Sequence, residues 1–207
     1  MVIHHLGILS ETVPTKMTHK MLIPLQKSTE HFAGEAIAKK VMEGSDRITE
    51  RTDKTIVAQW IKGAMERLDS LADEKTRILI MEDCGRSCAK VNKRLIDSAR
   101  ARRKRFKTVE EFLQAEQRRP IAGTRLTREG NVLFQYYTPL TFRRPMRCYC
   151  GLLRGLPEDE NVSRTYCYCS EGFVKEFWEN VLERPVKVEL LQSALSGASE
   201  CQFAIHL

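Results

Sequence analysis

The chain has 207 residues, of which 42% are hydrophobic and 29% are charged, and its formal net charge is +7. This composition is typical of a globular protein and excludes a disordered chain, and no apolar run reaches the roughly 20 residues of a membrane-spanning helix. Residues 1–26 lack the charged, apolar and small-residue regions of a secretory signal peptide. We therefore expect a cytoplasmic protein of one large domain, with no membrane partner.

Most of the positive charge lies in one segment. Between Lys93 and Lys107 there are eight basic residues and one acidic residue, so the rest of the chain is close to neutral. The run from Arg100 to Lys107 has the charge to contact phosphates, but cations are also favoured at the C-terminus of a helix. Because no aromatic interleaving or nucleic-acid motif accompanies the run, we expect a solvated helix end and no nucleic-acid partner.

The first half of the chain has a helical pattern after an N-terminal segment without one. Residues 1–27 show no clear period, and we predict a loose arm there. The helical part, residues 28–119, begins with a helix that Ser28 or Thr29 caps and that ends before Gly44. A second helix of about five turns is predicted by apolar residues at intervals of three and four, namely Ile56, Val57, Trp60, Ile61, Ala64, Met65, Leu68 and Leu71.

Two further helices are predicted before Pro120. The third runs from near Lys75 to near Arg103, and the fourth begins at Thr108, which forms a capping-box pattern with Glu111. The third has one face formed by residues at intervals of three and four: Met81, Cys84, Cys88, Val91 and Leu95.

The pattern changes after Gly123 from helical to extended. A helix that Ser170 caps interrupts the predicted strands, and a hairpin closes the chain. We therefore predict a single α+β domain over residues 28–207, with N-terminal helices packed on a C-terminal antiparallel sheet in residues 124–207, and one further helix. The predicted extended segments are Val132–Tyr137, Arg147–Leu152, Thr165–Cys169 and the hairpin Val186–Leu207.

A doubled Cys-Tyr-Cys is the most informative motif. In a reducing compartment, clustered cysteines are more often metal-binding or catalytic than disulfide-bonded. On a strand, residues two apart share a face, so Cys148 with Cys150 and Cys167 with Cys169 would present four sulfurs to one patch. Such a patch is a soft cage for zinc or an iron–sulfur cluster. The alternative is that the cysteines are small hydrophobic residues of the core.

A second pair of cysteines lies on the third predicted helix. Cys84 and Cys88 are four residues apart and therefore adjacent on the helix surface, where they can bind one metal. Gly85 between them costs about 1 kcal/mol relative to alanine, and Arg86 can pair with an anion or a thiolate. The alternative again is core packing, because both cysteines belong to the apolar face.

Cys169 is also the best candidate for a thiolate in the sequence. It precedes Ser170 and the predicted helix, and a helix N-terminus lowers the pKa of a cysteine there. Cys167 is the neighbouring candidate.

The last third of the chain resembles two known families. The residues that carry the resemblance are Tyr166–Phe173, Pro185–Glu189 and Cys201–Ile205, together with the nonapeptide of residues 81–89. They are similar to the 4-vinyl reductase, or hydrocarbon-binding, domain and to L-2-amino-thiazoline-4-carboxylic acid hydrolases, and the whole looks most like an uncharacterised bacterial and archaeal family of that kind. The resemblance implies an α+β fold with a small-molecule pocket, homodimerisation, and cysteine or histidine ligands wherever a metal is bound.

Two hypotheses for the function stay open. In the first, the protein binds a small molecule or a metal at a thiolate site, with zinc as the default metal and iron–sulfur as the redox variant. In the second, it is a thiol- or zinc-dependent hydrolase of a small cyclic amide-like substrate, in which Cys169 or Cys167 is nucleophile or ligand and Asp83 or Glu82 transfers protons. The proposed metal ligands are Cys84, Cys88, Cys148, Cys150, Cys167 and Cys169, and the proposed ligand-binding residues are Arg86, Tyr166 and Tyr168.

Overall fold

The computed structural model describes residues 19–120, 124–137, 148 and 150–207, and these residues form an α+β fold, as predicted. Six helices precede the sheet in the described chain and a seventh lies between its second and third strands. The helices are α1 (Ile23–Ala33), α2 (Glu35–Val41), α3 (Lys54–Leu71), α4 (Glu74–Val91), α5 (Lys93–Arg103), α6 (Val109–Arg118) and α7 (Tyr168–Leu182). The strands are β1 (Thr124–Glu129), β2 (Val132–Tyr137), β3 (Lys187–Gln192) and β4 (Cys201–His206).

The four strands form one antiparallel sheet in the order β1-β2-β4-β3. Gly130 has φ of 56° and allows the tight turn between β1 and β2. The predicted closing hairpin is confirmed by the pairing of β3 with β4, in which Val188 lies opposite Ile205. Their alternating apolar residues are buried on the face that packs against α7.

Helices α4 and α7 touch each other backbone to backbone. A Cβ atom on Gly85 of α4 would overlap the carbonyl of Cys169 and lie 2.7 Å from the backbone nitrogen of Phe173. A Cβ atom on Gly172 of α7 would overlap the backbone of Glu82 in the same way. The mid-helix Gly85 is therefore explained by close helix packing rather than by the approach of a ligand.

The layers are stacked around α7. This helix packs against α4 on one side and against β3 and β4 on the other. Helix α1 packs against α2 and α4. One continuous core of apolar side chains runs through all of these elements. The site described below lies where α4, α7 and the sheet meet.

The predicted helix with the strongest pattern, α3, is confirmed, but Ile56 and Trp60, which we expect to be buried from that pattern, are not fully buried. Ile61, Met65 and Leu68 are buried, as predicted. Ile56 in the first turn is 57% exposed, which makes the predicted burial of that residue wrong. Trp60 is half-buried, and its indole nitrogen donates to the carbonyl of Glu43.

Helix boundaries differ from the sequence prediction at several places, and one of them is the start of α7 at Tyr168, which puts Ser170 inside the helix and not at its cap. The first helix begins at Ile23, so Ser28 and Thr29 lie inside it and do not cap it; Gly34, with φ of 86°, ends it. The predicted third helix is two helices that meet at Asn92. Leu22 and Leu25 are buried, although they belong to the segment predicted as a loose arm. Residues 1–18 of that segment lie outside the described residues. The domain boundaries stay a prediction.

Two predicted strands are wrong where the structure describes them. Gly151–Leu153 and Arg164–Cys167 form short 3-10 helices, and α7 begins at Tyr168. Arg147 and Tyr149 lie outside the described residues. The second Cys-Tyr-Cys motif therefore does not present its sulfurs by strand alternation.

The basic run is at the end of a helix, as predicted. Lys104, Arg105 and Lys107 are exposed just after α5. Two basic residues of the run's first turn are paired within the protein: Arg102 forms a bidentate pair with Glu116, and Arg100 pairs with Glu183 at 3.3 Å. In the part of the chain that the structure describes, no helix is both long and apolar enough to cross a membrane.

Candidate functional site: an apolar cavity between helices and sheet

A cavity of about 380 Å³ lies where the end of α4, the first half of α7 and the strands β1 and β2 meet. Its apolar wall comes mainly from α7, through Phe173, Val174 and Phe177, with Tyr137 of β2. The described residues that line it are Met21, Cys88, Asn92, Leu95, Thr124, Gln135, Tyr137, Cys150, Gly151, Cys169, Ser170, Phe173, Val174 and Phe177.

The cavity reaches the surface on the side of Met21 and Leu95. Met21 is 43% exposed and Leu95 is 37% exposed, although both are large apolar residues. They form an apolar rim, which is the usual surrounding of a small-molecule site rather than of a closed packing defect.

Three cysteines line the cavity, and two of them, Cys88 and Cys150, contact neighbouring polar side chains. The hydroxyl of Tyr166 donates to the sulfur of Cys150 at 3.0 Å. The side-chain nitrogen of Asn92 donates to the carbonyl of Cys88 at 2.8 Å and lies 3.6 Å from its sulfur. Cys169, at the start of α7, faces the same space.

Burial keeps the thiols of Cys88, Cys169 and the nearby Cys84 protonated at neutral pH. It raises the pKa of Cys169 well above its usual range, and the nearby Cys84 and Cys150 sulfurs add to the rise. It also raises the pKa of Cys88, and it raises that of Cys84 to about 12. The predicted lowering of the Cys169 pKa is therefore wrong in direction, because desolvation of the thiolate outweighs the helix N-terminus.

Cys167 and Cys148 lie beside the cavity rather than in its wall. The sulfur of Cys167 is 2.7 Å from the hydroxyl of Ser193, and burial raises the pKa of Cys167 to about 11. Cys148 accepts from the backbone nitrogen of Cys150 at 3.4 Å, and burial raises its pKa as well. Cys167 and Cys169 thus point to different neighbours, as expected for two residues in a helical segment.

The prediction of zinc, or of an iron–sulfur cluster as the redox variant, is wrong. All six cysteines proposed as metal ligands belong to the described residues. Within that part of the chain, no group of three or more His, Cys, Asp or Glu side chains is arranged to hold a metal ion. The expected grouping of cysteine sulfurs around one metal ion is therefore not found among the described residues, where Cys167 and Cys169 lie in helical segments rather than on a strand.

The remaining predicted site residues lie outside the cavity wall. Asp83 accepts from the hydroxyl of Ser28 at 2.6 Å, so it joins α4 to α1. Arg86 lies 3.7 Å from Glu176 and 3.9 Å from Glu179 on α7.

The two proposed ligand-binding tyrosines also stand behind or beside the wall. Tyr166 is buried behind it, where its hydroxyl holds Cys150. Tyr168 lines a second, polar cavity of about 250 Å³ with Asp69, Arg77 and Arg164. Their roles in binding a ligand stay a prediction.

Sequence reasoning missed the most informative polar residue of the cavity. Gln135 of β2 is buried, lines the cavity and accepts a hydrogen bond from the indole nitrogen of Trp178 at 2.8 Å. A signal was present, since Gln135 is a polar residue at the centre of an otherwise aromatic and aliphatic strand.

Two solved structures resemble the chain at low similarity. One is the crystal structure of an H-NOX protein from S. oneidensis in the Fe(II)NO ligation state, and the other is the NMR structure of a mutant H-NOX domain from Shewanella oneidensis in the Fe(II)CO ligation state. Each has a TM-score of 0.47 and 11% identity over 92% of this chain, covering 99% and 98% of the respective structure. The iron ligation states belong to those proteins, and similarity at this level carries no conclusion about the ligand of this chain.

The family assignment rests on the sequence match. No curated protein matches the chain. The likeness of the last third to 4-vinyl reductase domains and thiazoline-carboxylic acid hydrolases stays a resemblance. The expectation of an uncharacterised family is confirmed, because the family of unknown function DUF6144 matches residues 15–207 and the chain belongs to it.

Proposed function

We propose that this protein binds a small, uncharged and mainly apolar molecule in the cavity between α4, α7 and the sheet. The observation that supports the proposal is the cavity itself. Protein interiors are packed with few voids larger than a water molecule, and about 380 Å³ is within the usual range of small-molecule sites.

The lining indicates which ligands are favoured. None of the described lining residues is an Asp, Glu, Lys, Arg or His, and burial disfavours the thiolate forms of Cys88 and Cys169. A charged ligand would lose its hydration without gaining a counter-charge from these residues. An apolar or aromatic molecule would instead pack against Phe173 and Phe177 of α7.

A neutral fluorescent probe tests the proposal directly. N-phenylnaphthylamine fluoresces more strongly in an apolar environment, and we expect its emission to rise and saturate at one probe per chain. Cys88→Phe places a ring in the cavity from the half-buried end of α4, and we expect it to raise the Kd of the probe by about tenfold or more. Leu191→Phe adds the same ring at an exposed position outside the cavity and serves as the matched control.

Thermal unfolding of both variants distinguishes a filled cavity from a damaged fold. We expect Cys88→Phe to keep a cooperative transition, since the ring enters existing space. Non-saturating emission with the original protein, or an unchanged Kd in a folded Cys88→Phe variant, would contradict the proposed function.

A further inference from the structure

Gln135 is a buried amide between apolar neighbours on the sheet. It is 8% exposed, and its partners across the neighbouring strands are Leu126 and Phe203. Burying an amide without hydrogen bonds is unfavourable, so the polar atoms of this side chain favour hydrogen-bond partners.

The orientation of this amide is fixed by Trp178. The indole nitrogen, in a ring that is only 2% exposed, donates to Oε1 of Gln135 at 2.8 Å. An indole N–H can only donate, so the atom that faces it must be the carbonyl oxygen of the amide and not its nitrogen. The ring itself is held by an edge-to-face contact with Phe177 at 5.3 Å.

The other end of the amide is left for a ligand. No described residue accepts a hydrogen bond from Nε2 of Gln135, although the residue lines the cavity. We propose that Gln135 determines ligand specificity: its amide nitrogen, oriented by Trp178, donates to an acceptor such as a carbonyl oxygen on the bound molecule. This inference rests on the proposed function and narrows the ligand class to apolar molecules that carry one hydrogen-bond acceptor.

The test compares ligands of nearly equal shape that differ in one acceptor. Indanone carries a carbonyl and indane does not, and both can be titrated as competitors of bound N-phenylnaphthylamine. One hydrogen bond of ordinary strength corresponds to roughly a three- to tenfold lower Kd for indanone. Equal competition by both molecules, or failure of both to displace the bound probe, would overturn the inference and leave the proposed function standing, whereas failure of the probe itself to bind would overturn both.

Two variants assign the preference to these residues. Gln135→Met keeps the length of the side chain without the amide, and we expect indanone and indane to bind it equally. Trp178→Phe keeps an aromatic ring without the N–H, so the amide is free to turn its oxygen to the cavity. We expect indole, which carries a donor and no carbonyl, to gain roughly threefold or more relative to indanone in this variant.

The ratio of the Kd values of indole and indanone is the readout for Trp178→Phe. A merely structural role of Trp178 would weaken the binding of both ligands equally and leave this ratio unchanged. A ratio in Trp178→Phe equal to that of the original protein would overturn the positioning role. Retention of the indanone preference in Gln135→Met would overturn the whole inference. Since the comparison in the unaltered protein already decides the main point, the test does not depend on the variants folding.

Discussion

At the scale of single residues, the most perturbed carboxyl is Glu171 in the first turn of α7. It is buried, and one of its oxygens accepts from the backbone nitrogen of Leu190 at 2.9 Å. Burial raises the pKa of Glu171 to about 7, the Leu190 N–H opposes the rise, and the charge and hydrogen bonding of Glu82 add to it. A protonated Glu171 can donate to Glu82 across the contact between α7 and α4.

This raised pKa makes stability depend on pH. Between pH 4.5 and pH 7, Glu171 keeps its proton in the folded protein but loses it in the unfolded chain, where the carboxyl pKa is near 4.5. The contribution is therefore fully present below pH 4.5 and is lost as the pH rises through about 7. We expect Glu171→Gln, whose amide keeps both hydrogen bonds, to match the original protein near pH 4.5 and to be more stable at pH 8 by up to about 3 kcal/mol.

Urea unfolding at both pH values measures the difference. Glu66→Gln removes an exposed carboxylate of α3 and is the matched control, for which we expect little change at either pH. A Glu171→Gln variant that is less stable than the original protein at pH 8 would contradict the raised pKa of Glu171.

At the scale of elements, the contact between α4 and α7 depends on two glycines. Gly85 and Gly172 each face the backbone of the other helix so closely that a methyl group has no room. Helix propensity alone predicts that alanine stabilises a helix interior by about 1 kcal/mol. Steric overlap with backbone atoms acts in the opposite direction and is not relieved by a side-chain rotation.

We therefore expect Gly85→Ala and Gly172→Ala to destabilise the protein by about 3 kcal/mol or more, because the two helices must move apart. Gly151→Ala is the control, since a Cβ atom there meets no atom within 4 Å, and we expect a change within about 0.5 kcal/mol. Denaturant unfolding measures all three variants. A stabilised Gly85→Ala variant would mean that propensity outweighs the packing of α4 on α7.

Elements with a strong local sequence pattern could be predicted, and elements whose pattern is ambiguous could not. Helical periodicity predicts α3, the capping box predicts α6, and strand alternation predicts the closing hairpin, because local residues determine each of these three elements. The segment Thr165–Cys169 has the aromatic and β-branched residues of a strand, yet the hydroxyl of Ser163 accepts from the backbone nitrogen of Thr165 and starts a helical turn.

The cavity is a tertiary feature, and this limits its prediction. Cys88 and Cys169, two of the cysteines proposed as metal ligands, line the cavity, but their spacing in the sequence gives no information on the burial that raises their pKa values. Gln135 was overlooked for the same reason, since its partner Trp178 is distant in the sequence and joined to it only by the packing of α7 on the sheet. Gly85 is unfavourable in a helix, and the reason for a glycine at this position is the backbone of α7, which is distant in the sequence and packs against it.

At the scale of the whole molecule, the helices and the sheet share one core. Buried residues from α1 to α7 and from β1 to β4 belong to a single cluster of apolar side chains. Helix α7 connects the two parts, since it packs against α4 and against β3 and β4. The cavity lies at this junction, so a ligand bound there would stabilise the contact between the helical part and the sheet.

A shared core predicts that both parts unfold together. Trp60 lies in the helical part and Trp178 at the junction with the sheet, so Trp60→Phe leaves a fluorophore that reports on the junction alone. Far-UV circular dichroism of the same variant is dominated by the helices, most of which precede the sheet. We expect the two urea transitions to coincide, because opening the junction would expose the buried faces of both α4 and α7. A circular dichroism transition with its midpoint well separated from that of Trp178 fluorescence would show instead that the helical part, residues 28–119, folds on its own.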